Sequence, residues 1–174
     1  MSHTIIKRAA MFVTFVLVWA LLAAAVAHSA TRNVVNFSGF APGTIVVKTG
    51  ERHLYYVLDG NRAVRYSVGV GRAGKAWTGQ AYVEGKYVEP AWAPPEEIRR
   101  EHPNLPEVIP GGDQENPMGA AALTLRGGEY AIHGTNNPGS IGGFVSYGCI
   151  RMYNRDIREL YRMVDIGTPV VVER

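Results

Sequence analysis

The chain has 174 residues, of which 47% are hydrophobic and 19% charged, a balance that supports a packed core and excludes a disordered protein. Of its 18 basic residues, Lys7 and Arg8 lie in an N-terminal leader without acidic residues, which leaves 16 basic against 15 acidic residues. This balance does not predict nucleic-acid binding. The length suits one domain plus a leader, and 20 glycines and ten prolines favour β structure with many turns.

Residues 1–30 have the pattern of an export signal. Lys7 and Arg8 precede an apolar run from Ala9 to Ala27, and small residues follow it. This order predicts a secretory signal peptide with cleavage after Ala27 or Ala30. The run is also just long enough to span a bilayer, so an uncleaved membrane anchor is the alternative. Both forms predict an exported protein of the periplasm or cell envelope. Membrane contact is expected only through residues 1–30, and only if this segment is uncleaved.

Residues 31–42 are predicted to form a linker, and the folded domain is expected to cover residues 43–174. Short runs of β-branched and aromatic residues, separated by turn residues, predict strands. In the first half of the domain these runs are residues 44–47, 53–58, 63–70, 82–83 and 86–88. Asp59-Gly60-Asn61 predicts a hairpin turn, and the last two runs predict a further hairpin.

The second half of the domain combines strands with two helical patterns. Further strands are predicted at residues 120–125, 129–132 and 170–172. Two prolines precede a short helical pattern at residues 96–102, and the clearest helix is predicted at residues 154–164. Asn154 is its predicted N-cap. These elements predict a single, mainly-β domain with one C-terminal helix.

The stretch from Ile132 to Met152 contains the residues best suited to catalysis. It holds Cys149, the only cysteine of the chain, and His133, with several glycines between them. Cysteine attacks as the thiolate, and its unperturbed pKa of ~8.5 means that it needs a base near neutral pH. The backbone N–H groups from Tyr147 to Cys149 are candidates for stabilising an oxyanion, since Gly148 has no side chain to obstruct them. A buried structural thiol and a structural histidine are the alternatives.

This stretch resembles the signature of the L,D-transpeptidase catalytic domain family, cysteine enzymes that remodel bacterial peptidoglycan. The signature combines a His-Gly pair, here His133-Gly134, with Ser-x-Gly-Cys, an apolar residue and Arg, here Ser146 to Arg151. The resemblance covers about residues 43–174 and implies an irregular β-sandwich or barrel. Two positions depart from the common pattern. Tyr147 stands where many members have a second histidine, and Ala76-Trp77-Thr78-Gly79 stands where members usually have Thr-Pro-x-Gly.

The resemblance implies acyl transfer through a covalent thioester, without a cofactor. Cys149 would attack the carbonyl after the L-centre of diaminopimelate in a tetrapeptide stem, D-alanine would leave, and an amine would take the acyl group. His133 is the implied base, and the backbone of Gly134 is its implied orienting partner. Peptidoglycan stem peptides are the expected partners, with a second stem or an outer-membrane protein as the amine acceptor. Carbapenems are expected to acylate the same sulfur.

Several roles and activities stay open at this point. Arg151 is expected either to hold a substrate carboxylate or to make a structural salt bridge. Ser146 and Tyr147 are expected either to contact substrate or to shape the loop. With water as acceptor, the domain would be an L,D-carboxypeptidase or a cross-link hydrolase. A non-catalytic cell-wall-binding module is a third reading, against which the intact His133 and Cys149 argue. No ligand spacing predicts a metal site.

Overall fold

The computed structural model describes residues 33–127 and 130–174, and the compact unit runs from Asn33 to Arg174. The signal or anchor predicted for residues 1–30 lies outside the described residues. Within the described ranges, no helix is long and apolar enough to cross a membrane. The same ranges contain ten strands, two α-helices and one 3₁₀ turn, so the fold is mainly β as predicted.

The elements alternate along the chain as short strands with few helical interruptions. The strands are β1 (Val34–Asn36), β2 (Ile45–Lys48), β3 (His53–Asp59), β4 (Arg62–Gly71), β5 (Gly79–Val88), β6 (Ala121–Leu125), β7 (Ala131–His133), β8 (Phe144–Ser146), β9 (Ile150–Met152) and β10 (Pro169–Glu173). The helices are α1 (Glu96–Glu101) and α2 (Asn154–Met163), and the 3₁₀ turn is Pro138–Ser140. The predicted C-terminal helix is therefore confirmed. The strand predicted at residues 129–132 begins at Ala131, and Glu129 lies outside the described residues.

Eight of the strands close into a barrel. β4 pairs with β3, and the ladder continues through β2, β10, β5, β6 and β7 to β9, which pairs again with β4. The length of β4 permits this closure, because its first residues pair with β1 and β3 and its last residues pair with β8 and β9. A closed ladder avoids exposed sheet edges around the core.

The barrel interior is filled by aliphatic side chains from alternate strand positions. On β2, Ile45 and Val47 belong to the main core, whereas Val46 between them belongs to a smaller cluster on the outer face. Helix α2 packs on β6 and β7, and its Ile157 and Leu160 are fully buried. The apolar face of this helix therefore covers strands next to the candidate site.

The predicted linker, residues 31–42, is part of the fold from residue 34 onward. β1 pairs antiparallel with β4, and the ring of Phe37 stacks on that of Tyr55 with 4.3 Å between the centroids. Tyr55 and Val46 face away from the main core, so this segment covers apolar surface that would otherwise be exposed. The linker prediction was wrong here because a three-residue strand has too few positions to show a periodic pattern.

Two local predictions were also wrong. The runs 82–83 and 86–88 form no hairpin but belong to the single strand β5, whose register against β6 shifts between Val83 and Gly85. A glycine inside a strand marks such an irregularity as readily as a turn. The N-cap of α2 is Tyr153 rather than Asn154, and it makes no side-chain capping bond.

The side chain of Asn154 instead clamps two chain segments next to the candidate site. Its Oδ1 accepts hydrogen bonds from the N–H groups of Ala120 and Thr135, each at 3.0 Å. Its Nδ2 donates to the carbonyl of Thr135, also at 3.0 Å. A Cβ added at Gly134 would lie 2.2 Å from this Oδ1, so the clamp leaves no room for a side chain directly after His133.

Asn154→Ala is expected to lower the free energy of unfolding by about 2–3 kcal/mol, because it leaves three backbone groups without their partner. Chemical denaturation followed by tryptophan fluorescence measures this loss. Asn136→Ala is the matched control, since this exposed amide makes a single contact, a 3.3 Å hydrogen bond to the Gln114 carbonyl. Equal losses in the two variants would contradict the clamp.

Candidate active site

The candidate site is built on two neighbouring parallel strands, β7 and β9. Ile132 pairs with Ile150, and His133 pairs with Arg151. Successive side chains of a strand point to opposite faces. Because Ile132 and Ile150 are at most 1% exposed and belong to the core, His133 and Arg151 face the other side. Cys149 directly precedes β9 and faces that side as well.

On this side lies a cavity of about 760 Å³, which His133, Cys149 and Arg151 all line. One wall is formed by α1 and the segment before it, including Trp92. Tyr130 lines the cavity too. A neighbouring cavity of about 960 Å³ is larger but is lined by neither the cysteine nor the histidine. The chemistry therefore assigns the smaller cavity as the candidate active site.

The backbone holds the His133 ring in one orientation. Its Nδ1 lies 2.7 Å from the carbonyl oxygen of Gly134. Because a carbonyl oxygen only accepts, this contact assigns the tautomer with the proton on Nδ1 and the lone pair on Nε2. Burial, together with the cation of Arg151, lowers the pKa of His133 to about 4. The imidazole is therefore neutral near neutral pH and able to accept a proton.

The thiol of Cys149 is also uncharged near neutral pH. Burial raises the pKa of Cys149, and a backbone hydrogen bond from Ala131 and the cation of Arg151 offset only part of this rise. Burial therefore favours the neutral thiol and the neutral imidazole over a thiolate–imidazolium pair. No group of three or more His, Cys, Asp or Glu side chains suited to a metal ion occurs in the part of the chain that the structure describes.

The turn before Cys149 is held from inside by Ser146. The Ser146 hydroxyl accepts a hydrogen bond from the N–H of Gly148 at 3.1 Å and donates one to the carbonyl of Cys149 at 2.6 Å. Ser146 is only 1% exposed. Of the two roles predicted for this side chain, the structure shows the shaping of the loop. Because the N–H of Gly148 is engaged, the N–H groups of Tyr147 and Cys149 are the better candidates for stabilising an oxyanion.

Tyr147 joins this turn to α1. Its phenol donates a hydrogen bond to Glu101 at the end of α1, and the guanidinium of Arg72 lies 4.0 Å from its ring centroid. Arg72 also pairs with Glu101 at 2.9 Å. The hydrogen bond to Glu101, aided by partial burial, raises the pKa of Tyr147. The phenol therefore stays protonated near neutral pH and does not supply the base that a histidine could supply at this position.

Arg151 lines the cavity, and no carboxylate of the described residues pairs with it. Across residues 33–127 and 130–174, no salt bridge includes Arg151, and its buried Nε has no hydrogen-bond partner. Burial lowers the pKa of Arg151, but a guanidinium remains charged at neutral pH. The described residues thus offer no structural salt bridge, which was one of its two predicted roles.

Comparison with known proteins decides the family. The model of the L,D-transpeptidase catalytic domain matches residues 42–172. The chain belongs to this family. Probable L,D-transpeptidase YbiS of Escherichia coli K12 is 41% identical over 135 residues, which cover 72% of this chain and 43% of YbiS. The chain thus spans less than half the length of the curated relatives that it matches first.

Solved structures show the same fold. An L,D-transpeptidase from Mycobacterium smegmatis superposes with a TM-score of 0.60 at 19% identity, covering 75% of this chain and 58% of that one. A Brucella melitensis protein described as a probable carnitine operon oxidoreductase superposes with a TM-score of 0.55 at 36% identity, covering 80% and 91%. In a dinucleotide-binding unit, an α-helix connects two neighbouring parallel strands. Within the described residues, no α-helix makes such a connection.

Tyr147→Phe is expected to keep the rate of acylation within about tenfold of wild type, because it removes one hydrogen bond that lies outside the Cys149–His133 pair. The rate of adduct formation with a carbapenem, followed by intact mass, measures this. Glu101→Gln is the matched variant, since it weakens the same bond from the other side. A loss in Tyr147→Phe as complete as that in His133→Ala would show that the phenol takes part in proton transfer.

Proposed function

We propose that this protein is a peptidoglycan L,D-transpeptidase that works through a thioester on Cys149. The observation that carries the proposal is the register of β7 and β9, which places Cys149, His133 and Arg151 on one cavity wall. The bond from Nδ1 of His133 to Gly134 adds to it, because it leaves Nε2 as the proton acceptor. A nucleophile, an oriented base and a cation without a salt bridge among the described residues suit acyl transfer from a substrate that carries a carboxylate.

The first half-reaction forms the thioester. As the sulfur of Cys149 attacks the carbonyl carbon after the L-centre of diaminopimelate, its proton passes to Nε2 of His133. The C–S bond forms, and the carbonyl electrons move to the oxygen, where backbone N–H groups of the turn stabilise them. When this oxyanion collapses, the C–N bond to D-alanine breaks, and the leaving amine takes the proton from His133.

The second half-reaction depends on the acceptor. An amine attacks the thioester and gives its proton to His133, a new C–N bond forms, and the sulfur of Cys149 leaves and is protonated again. If the amine belongs to another stem, the product is a 3→3 cross-link. If it belongs to an outer-membrane protein, the product is a protein anchored to the wall. Water in its place would give the carboxypeptidase or cross-link hydrolase reaction.

Arg151 is proposed to hold the carboxylate of the terminal D-alanine. Arg151 and Cys149 are two residues apart on one face, about 6–7 Å along an extended chain. The terminal carboxylate lies one residue beyond the scissile carbonyl, so one side chain can bind the carboxylate while the other attacks the carbonyl. A guanidinium presents a planar pair of donors that matches a carboxylate.

The site of action is proposed to be the periplasm or the cell envelope. This rests on the basic pair and apolar run of residues 1–30, the pattern of an export signal or anchor. Stem peptides are found in this compartment, so the proposed substrate and the proposed location agree. The lone cysteine fits export as well, since it has no second cysteine in the chain with which to form a disulfide.

Incubation of the folded domain with purified muropeptides, with products identified by mass, tests the proposed function. Wild type is expected to release D-alanine and to form cross-linked dimers, whereas Cys149→Ser is expected to lose activity by roughly 10³-fold or more, since serine is a far weaker nucleophile here. An unchanged thermal midpoint of Cys149→Ser is the control for folding. Release of D-alanine without dimers would identify the carboxypeptidase, and wild-type turnover by Cys149→Ser would refute the mechanism.

Arg151→Gln tests the carboxylate site in combination with a changed substrate. For wild type, amidation of the terminal D-alanine is expected to lower kcat/KM roughly 10–100-fold, the value of a hydrogen bond to a charged group. For Arg151→Gln, the acid and the amide should react at similar rates, because the cation that distinguishes them is gone. Arg158→Gln, on the exposed side of α2, is the charge-matched control and should discriminate like wild type. Full discrimination by Arg151→Gln would place the carboxylate elsewhere.

A further inference from the structure

A tryptophan outside the signature motif holds the peptide group that precedes the nucleophile. The indole Nε1 of Trp77 donates a hydrogen bond to the carbonyl of Gly148 at 3.0 Å. The same indole stacks on the ring of Tyr130, with 5.1 Å between the centroids and an angle of 7° between the planes. Trp77 lies in the loop between β4 and β5, so a distant part of the chain contacts the turn that carries Cys149.

Gly148 is held from three directions. A Cβ added at this position would lie 2.3 Å from the Tyr130 ring, and its φ of +125° is one that other residues rarely adopt. Its N–H donates to Ser146, and its carbonyl accepts from Trp77. The bond from Trp77 holds the carbonyl of the peptide group that joins Gly148 to Cys149, while the bond to Ser146 holds the N–H of the peptide group before it.

The orientation of this peptide group has a consequence for catalysis. In a planar trans peptide the C=O and N–H bonds point in opposite directions. Because the carbonyl of Gly148 points to Trp77, the N–H of Cys149 points away from it. Cys149 lines the active-site cavity and Trp77 does not. We propose that Trp77 is a positioning residue that aims the Cys149 N–H at the oxyanion formed during attack, an inference that rests on the proposed thioester chemistry.

The hydrogen bond from Trp77 also makes the N–H of Cys149 a stronger donor. Donation to a carbonyl polarises the whole peptide group, which makes its N–H a better donor. In the Thr-Pro-x-Gly turn that residues 76–79 resemble, proline stands at the position of Trp77, and a proline side chain has no N–H to donate.

Trp77→Phe tests this role, because it keeps a ring against Tyr130 and removes the N–H. Two reagents that attack the same sulfur are compared. A carbapenem reacts at its lactam carbonyl, so this acylation passes through an oxyanion. Iodoacetamide is attacked at its CH₂ carbon and loses iodide, so this alkylation forms no oxyanion. The ratio of the two rate constants does not depend on the folded fraction. Trp77→Phe is expected to lower acylation about tenfold relative to alkylation, less than the loss of an oxyanion donor itself.

Trp77→His is the second variant, since it keeps a ring N–H at this position. Its ratio of acylation to alkylation should fall between those of wild type and Trp77→Phe, and a ratio no higher than that of Trp77→Phe would overturn the role of the N–H. An unchanged ratio in Trp77→Phe, or an equal fall of both rates, would also overturn it. A wild type that neither a carbapenem nor a tetrapeptide stem acylates would instead refute the proposed function itself.

Discussion

The parallel pairing of β7 with β9 is the constraint on which the active site depends. Ile132 lies opposite Ile150, and both side chains point into the core. Because side chains alternate between the two faces of a strand, those of His133, Arg151 and Cys149 point to the cavity side. A slip of one residue would bury the cation and expose the isoleucines, at a cost that the core would not tolerate. The hydrophobic effect that closes the barrel therefore also brings the residues of the candidate site together.

Burial on the cavity side sets the protonation states. Taking His133 and Cys149 out of water disfavours the charged form of each, so imidazolium and thiolate are both penalised. The cation of Arg151 acts on the two in opposite senses, because it opposes a second positive charge and favours a negative one. Burial thus favours the neutral pair, and in the proposed reaction the proton passes to His133 as the sulfur attacks.

The loop between β4 and β5 connects the remaining parts of the site. Trp77 holds the turn before Cys149, while Arg72 and Lys75 pair with Glu101 and Glu97 of α1, which forms a wall of the cavity. These ion pairs are partly exposed and contribute little to stability on their own. They do tie the cavity wall and the turn before Cys149 to one loop, so that the wall and the proposed oxyanion donors have a common support.

The sequence predicted most strands and indicated that Cys149 and His133 share one site, as their common cavity shows. Both leave local patterns, which are alternation for the strands and a signature motif for the site. The sequence did not predict contacts between distant residues. The bond from Trp77 to Gly148 joins positions 71 residues apart, and no local pattern indicates it. Asn154 has the local pattern of an N-cap, but its amide oxygen instead accepts hydrogen bonds from the N–H groups of Ala120 and Thr135. In both cases, partners that are distant in the sequence determine which hydrogen bonds the side chain makes.

The protonation state of Cys149 before substrate binds tests the neutral pair most directly. It can be measured as the ultraviolet absorbance of the thiolate, taken as the difference between wild type and Cys149→Ser across pH. The neutral pair predicts no thiolate near neutral pH, with the absorbance appearing only above the usual thiol pKa of ~8.5, since burial raises the pKa of Cys149. One equivalent of thiolate at neutral pH, lost again in His133→Ala, would show a preformed ion pair and contradict this account.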